Sequence, residues 1–348
     1  MNVKETAPKE ILRDAVYWSY ILFLGREERD PSVIDLHIAK HQTIEGVRQT
    51  FMQSEEFTER KGRVPPQEQA NSLFSSFPRY AGPPEEGFFY DFLGTKTRCD
   101  YLPDTLSHLS GRVYGLPGTG DDELHELSEW TGTLQAVKEA KERGRLVVAE
   151  LGAGWGPWLV TAAKAATHLQ IPTIVLVGVE GSREHLAFMH QHFRDNDLNP
   201  NDHTLLHSIV GVRDGSAYFP VLPVPREDWG AKAIFDESVA AGDVEEVPSI
   251  SLATLANDHP PFDLIHCDIQ GAEGDVLPAA AEVLNSRVRR IVVGTHSRQI
   301  EGKLLEFFSS CGWVLEHETP CRYQQALTGG VMNLLVDGSQ IWRNPREI

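Results

Sequence analysis

From residue 146 onward, apolar runs of strand length alternate with segments of helical period, and no other feature restricts the fold as much. The strand-like runs cover 146–151, 173–179, 204–210, 262–268, 288–295, 313–317 and 331–336, and helical spacing covers 157–168, 182–196, 272–284 and 300–311, with a short segment at 252–257. Strands separated by helices pair in parallel and are covered by helices on both faces. The alternation therefore predicts an α/β, doubly wound, mostly parallel seven-stranded sheet. No clear helix separates the last two strands, so an antiparallel hairpin is expected to close the sheet.

The first run, VVAELGAGWGPW at 147–158, breaks into glycines at Gly152, Gly154 and Gly156 before a helix that Pro157 is suited to open. A strand that turns through glycines into a helix brings backbone up against a nucleotide-like ligand. A pyrophosphate needs the helix N-terminus at G-x-G-x-x-G spacing, whereas S-adenosylmethionine (SAM) carries no phosphate and needs only close backbone approach. The G-x-G-x-G spacing favours SAM. Glu150, Gly152, Ala153, Gly154, Trp155, Gly156 and Trp158 are the candidate contacts, with Glu150 near the cationic methionine end. Glu180 ends the second strand, where a carboxylate can accept from both ribose hydroxyls, with Gly181 and Ser182 beside it. Dinucleotide enzymes use the same device, so Glu180 supports adenosine without choosing the cofactor. The adenine is expected near the end of the third strand, at Ile209 and Val210.

DLIHCDIQGAEGDVL at 263–277 puts His266 and Asp268 on one face at the carboxyl end of a buried strand, followed by Gln270 and a helix. Taken with ELGAGWGPW, GVEGSREHLAFMHQHF, SIVGVRDGSAYF read as a hairpin, and IVVGTHS, this segment resembles the FkbM-type SAM-dependent methyltransferases over residues 88–337. The resemblance implies the methyltransferase version of the Rossmann-like fold, SAM as cofactor, and transfer to a hydroxyl oxygen, as in polyketide-tailoring and polysaccharide enzymes. Many relatives carry Lys at the position of His266 and Glu at those of Gln270 and Gly294, so substrate-facing roles do not carry over directly. His296 ends the next strand facing the same crevice. An imidazole of pKa near ~6.5 suits a base for a hydroxyl, which makes His296 the candidate base and Asp268 its orienter, with His266 and Gln270 as candidate substrate contacts.

The remaining chain is read as a helical module at 1–60 with a glycine stop at Gly25, a proline-marked linker at 61–86, a cleft-covering extension at 87–145 and a methyltransferase domain at 146–340. The first sixty residues resemble the short helical repeats found near phycobilisome linkers and bacterial surface-associated enzymes. They are taken either as a cap on the main domain or as a module for docking a partner or a second copy. In the extension, Arg98 is placed to pair with the SAM carboxylate and Thr95 to reach substrate. An irregular insertion at 219–247 is expected to act as a lid or substrate-binding element, anchored by Trp229.

A formal charge of -18 excludes a phosphate-backbone partner, leaving a small-molecule or glycan hydroxyl acceptor. Cys99, Cys267, Cys311 and Cys321 form no C-x-x-C pair, the strand ends offer no paired aspartates, and no metal is expected. His185, His190, His192, His203 and His207 are read as a solvated helix surface. Without a signal-peptide core or an apolar run long enough to span a bilayer, a cytoplasmic chain is expected. The rivals are an NAD-dependent oxidoreductase or epimerase, weakened because none of the eight tyrosines is followed four residues later by Lys, and a non-catalytic SAM-binding scaffold.

Overall fold

The computed structural model describes residues 9–24, 28, 30–41, 43–52, 54, 67–117, 126–236, 242–324 and 333–348. The chain divides into two compact units, Met1–Pro66 and Gln67–Ile348. In the first, α1 (Lys9–Leu24), α2 (Pro31–Lys40) and α3 (Ile44–Met52) bury Leu12, Val16, Ile34, Val47 and Phe51 against one another. Asp30 caps α2 by accepting the Ser32 amide, and Pro31 sits in the first turn, where its missing N–H costs nothing. Gly25 and residues 61–66 lie outside the described residues. No helix among the described residues is long and apolar enough to cross a membrane.

The second unit is built on a seven-stranded sheet. Its strands are β4 (Arg145–Leu151), β5 (Thr173–Glu180), β6 (Thr204–His207), β10 (Leu264–Cys267), β11 (Arg290–Thr295), β12 (Val314–Thr319) and β15 (Gly338–Arg343), in the order β12-β15-β11-β10-β4-β5-β6. The five strands from β11 to β6 run parallel, and β15 lies antiparallel between β11 and β12. β4 and β10 are buried almost throughout because helices cover both faces. On one face α5 (Leu127–Ala140), α6 (Pro157–His168) and α7 (Arg183–Asp195) pack Trp130, Leu134, Leu159, Met189 and Phe193. On the other, α8 (Leu252–Asn257), α9 (Glu273–Ala279), α10 (Ala281–Arg287) and α11 (Arg298–Ser310) pack Leu255, Leu277, Leu284 and Phe308. The doubly wound fold is as the alternation predicts.

Several local expectations are corrected. The span read as a linker holds α4 (Gln67–Phe74), whose Ala70, Leu73 and Phe74 are buried in the core of the sheet's first face. Its apolar residues override the linker composition. The closing strand is β15, later than expected; β14 (Asn333–Val336) instead pairs with β13 (Arg322–Gln324) in a separate ribbon. The domain therefore runs past 340. The third strand leaves the main sheet after His207, and β7 (Ile209–Gly211) does not pair with β8 (Gly215–Pro220) as a hairpin. Between them lies β9 (Val244–Ser251), a strand running out of the supposedly irregular insertion, parallel to β7 and antiparallel to β8. The expected helix at 272–284 is two helices, broken beside Pro278, which cannot donate to the helical ladder. The extension contributes a small sheet of β1 (Phe88–Tyr90), β2 (Lys96–Arg98) and β3 (Arg112–Val113), in the order β2-β1-β3.

Candidate active site

A cleft of about 390 Å³ opens at the carboxyl ends of β4, β5 and β10, inside the ~300–1,000 Å³ range of small-molecule sites. It lies where open α/β sheets place ligands. The glycine turn lines it: the amides of Gly152 and Ala153 both reach the carbonyl of Val179 at 3.0 Å, and Gly156, left-handed at φ +71, hands the chain to Pro157 and α6. Gly152 has φ +72, and a Cβ there would overlap the backbone oxygen of Asp268, so the ends of β4 and β10 approach as only glycine permits.

Glu150 lines the cleft but is almost fully buried, and its oxygens accept the amides of Leu159 (2.9 Å) and Trp158 (3.4 Å), capping α6. Burial pushes its pKa up to about 7, against the opposing influence of His266 and those amides. Glu180 stands at the end of β5 with one oxygen accepting Gly154 N–H and the other Ser182 N–H, both at 2.8 Å. Each oxygen keeps a second lone pair for a ribose hydroxyl. Ser182 caps α7 by accepting the His185 amide, which fixes the direction in which Glu180 leaves the strand. Gly181, Ile209 and Val210 complete this end, and a side chain at Gly181 would meet Phe219 at 2.7 Å.

Asp228, Trp229, Ala231, Ala233 and Phe235 of the insertion line the cleft opposite the glycine turn, with Trp229 packed among aromatic rings. Its ring stacks on His185 at 4.0 Å and meets Trp155 edge-on at 4.5 Å. Trp158 lies deeper, stacked on His266 at 5.4 Å and edge-on to Trp130.

His185 is therefore part of the site and not a solvated histidine, and His192 is fully buried. The latter faces Thr97 Oγ1 at 3.1 Å and the Trp155 carbonyl at 3.0 Å, tying the glycine turn to β2. Arg98 does not reach the cleft. Its guanidinium holds Asp195 in a two-point ion pair at 2.6 and 3.0 Å and lies over the Phe88 ring. Thr95 is buried in a turn organised by Asp91 and lines a separate small cavity with Thr97 and His192. Arg98→Ala is expected to lower stability by ~1 kcal/mol and to leave the affinity for S-adenosylhomocysteine within about twofold; calorimetric titration checks this, and a tenfold loss would restore Arg98 to the site.

Asp268 stands where the cleft meets a second, polar chamber of about 590 Å³ lined by Glu126, Glu129, His296, Asp337, Ser339 and the β14 segment. Asp268 and Glu129 line both spaces. Asp268 Oδ1 accepts from Gln270 Nε2 at 2.9 Å and faces His296 Nε2 at 3.2 Å, while the other ring nitrogen of His296 lies 3.1 Å from Glu273 Oε1. Burial alone would lower the pKa of His296; its pairing with Asp268 and Glu273 outweighs that and raises it to about 10. Burial pulls the Asp268 carboxyl up, and His296 outweighs it to leave the group below its ordinary pKa. His296 is thus an imidazolium near neutral pH, with no lone pair to act as a base. This is at odds with His296 as the base and Asp268 as its orienter: the imidazole is tied between two carboxylates, whereas 37 % of the Asp268 side chain is exposed.

Glu273 was not apparent as a site residue. Fully buried, it accepts the amides of Ile269 and Gly271 and so shapes the turn after β10, in which Gln270 adopts φ +55. The Q-G-A-E spacing that places a carboxylate beside the turn amides was its available signal. Asp268, Glu273 and His296 each bring one ligand-type atom within 4.8 Å of the others. Glu129, on α5, is 3.1 Å from His266 Nε2 and had no local signal at all.

No protein-family model matches the chain. A protein of Jannaschia sp. (strain CCS1), provisionally named a methyltransferase, is 34 % identical over 266 residues, covering 74 % of this chain and 93 % of that protein. Among solved structures, methyltransferase FkbM from Methylobacillus flagellatus KT has a TM-score of 0.36 at 13 % identity, covering 63 % of this chain and 56 % of that one. Precorrin-6y C5,15-methyltransferase from Geobacter metallireducens GS-15 has 0.35 at 14 %, covering 66 % and 98 %. Overlaps of that size carry no argument about site or substrate.

Proposed function

The chain belongs to the methyltransferase family, and from that premise we propose that it is a SAM-dependent O-methyltransferase of the FkbM type, acting on a hydroxyl of a sugar, a glycan or a glycosylated metabolite. The dinucleotide reading of the strand–glycine–helix unit is set aside by that membership. The observation that carries the proposal is the junction at Asp268: a carboxylate open both to the cleft lined by the glycine turn and Glu180 and to a polar chamber.

The residues present fit the cofactor. The glycine turn lines the cleft with bare backbone, a Cβ at Gly154 would meet the Trp229 wall at 3.2 Å, and Glu180 is placed for ribose hydroxyls. SAM supplies a methyl carbon made electrophilic by its sulfonium. The protein's task is alignment: an acceptor oxygen must lie behind that carbon, in line with the bond to sulfur that breaks as the new C–O bond forms. Asp268, held by His296 and Gln270, is positioned to accept the hydrogen bond of the acceptor hydroxyl and take its proton late. A carboxylate is basic enough because the hydroxyl becomes strongly acidic only as the bond to carbon forms. Glu126, Asp337 and Ser339 offer acceptors for the neighbouring hydroxyls of a polyol.

Calorimetry with SAM and S-adenosylhomocysteine is the first test. Binding of both is expected, weakened roughly 10- to 100-fold in Glu180→Ala through loss of hydrogen bonds to a charged group. No binding of either would sink the proposal. Turnover on hydroxyl-bearing glycosides should give an O-methyl product by NMR, and exclusive N- or C-methylation would overturn the oxygen assignment.

A further inference from the structure

The floor of the cleft holds a polar atom that nothing among the described residues satisfies. His266, on β10, is 3 % exposed, stacked on Trp158 and held at Nε2 by Glu129, yet its Nδ1 is buried with no hydrogen-bond partner among the described residues. A buried, unpaired ring nitrogen carries a desolvation penalty, and such groups otherwise find partners. Glu129 fixes the ring by accepting from Nε2–H, and when both ring nitrogens are protonated the one remaining donor is Nδ1–H. Glu129 itself lines the cleft. An imidazole whose pKa is raised, burial being outweighed by Glu129, and a carboxylate thus stand side by side at the floor.

We propose that His266 and Glu129 together receive the amino-acid end of the cofactor, with His266 Nδ1 donating to the α-carboxylate and Glu129 accepting from the α-ammonium. This rests on the SAM reading above and supplies the role that Arg98, engaged by Asp195, does not fill. The placement suits an elongated adenosyl amino acid. His266 pairs in register with Glu150 on β4, and Glu180 lies on β5, the next strand, so the two ends of the site are separated by two strand spacings, on the order of 10 Å. The sulfonium would fall between them, near Asp268 and the glycine turn. Both residues act by positioning the cofactor, and neither touches the transferred methyl.

The test compares two probes on the full chain by calorimetry: S-adenosylhomocysteine, which carries the amino-acid end, and 5′-methylthioadenosine, which lacks it. His266→Phe keeps a ring against Trp158 and removes both nitrogens. Glu129→Gln keeps an oxygen for the amide of Glu126, which Glu129 now accepts at 3.0 Å. Each variant is expected to weaken S-adenosylhomocysteine roughly 10- to 100-fold and to leave methylthioadenosine within about twofold. Retained methylthioadenosine binding also shows that the variant is folded. Equal losses for both probes, or a loss under about threefold for S-adenosylhomocysteine, would overturn the inference. If His266→Phe does not fold, Glu129→Gln decides it by the same criteria. A wild-type chain that binds neither probe would instead overturn the cofactor reading, whereas one that binds both equally well would overturn only the assignment of the amino-acid end.

Discussion

Gly152→Ala is expected to abolish cofactor binding and to destabilise the second unit by about 3 kcal/mol or more, in the range reached when strain at a special backbone geometry combines with a core clash. Two independent reasons converge. At φ +72 an L side chain is strained wherever it is placed, and here the added Cβ would overlap the carbonyl oxygen of Asp268 and lie 2.8 Å from its carbonyl carbon. The neighbour is backbone and cannot rotate away. It is also fixed from both sides, because the Asp268 amide donates to the Leu151 carbonyl at 2.9 Å and the Gly152 amide donates to the Val179 carbonyl at 3.0 Å. Relief therefore means separating the ends of β4 and β10, which widens the cleft floor and moves Asp268. Gly154→Ala is the control: its φ of +55 is also left-handed, but the nearest atom is an edge carbon of Trp229 at 3.2 Å, a side chain that can yield. The milder variant should unfold less readily than Gly152→Ala and keep measurable affinity for S-adenosylhomocysteine. Chemical denaturation and calorimetry give both readouts; a Gly152→Ala protein with unchanged midpoint and affinity would refute the account.

The second large effect is the dependence of stability on pH set by His296. Its folded pKa, about 10, lies above the ordinary imidazole value of 6.5 because two carboxylates flank the ring and outweigh its burial. A group whose pKa is raised on folding binds its proton more tightly in the native state. Its contribution is complete below pH 6.5 and is lost as the pH climbs through 10. At about 1.4 kcal/mol per pKa unit, the loss is bounded at about 5 kcal/mol, and the lowered pKa of Asp268 belongs to the same pair and is not added to it. Glu150 acts in a separate window. Burial raises its pKa to about 7, so its contribution is present below pH 4.5 and is lost as pH rises to 7. Denaturation midpoints from pH 4 to 10 should fall in two stages, and His296→Gln should flatten the upper one. The same substitution separates the two catalytic roles. If Asp268 is the group that meets the acceptor, the wild-type rate shows no ionisation near pH 6.5 assignable to His296; a base-like inflection there that vanishes in His296→Gln would return the role to the histidine.

What could be read along the chain is what neighbouring residues settle among themselves. Alternating apolar periods specify strands and helices, a helix between two strands imposes parallel pairing, and the residues at a strand's carboxyl end then face the crevice. The glycine turn, Glu180 and Asp268 are placed by that logic alone, and the structure sets all three around one cleft. Strand order at the sheet edge was out of reach because β15 enters between β11 and β12 through long-range pairing, and its local signal resembles that of β14. The partners of the charged side chains were equally hidden: Arg98 meets Asp195, His266 meets Glu129, and His296 sits between Asp268 and Glu273. A side chain's role depends on whether it carries a proton and what already occupies its hydrogen-bonding atoms. Both are decided by groups within about 3 Å that the chain brings together from positions as far as 137 residues apart. The sequence by itself determined the fold class and the location of the candidate cleft, because periodicity and glycine stereochemistry are local. Only the tertiary structure decided which charged side chains are paired and which are left open to the cleft, because electrostatics acts through space.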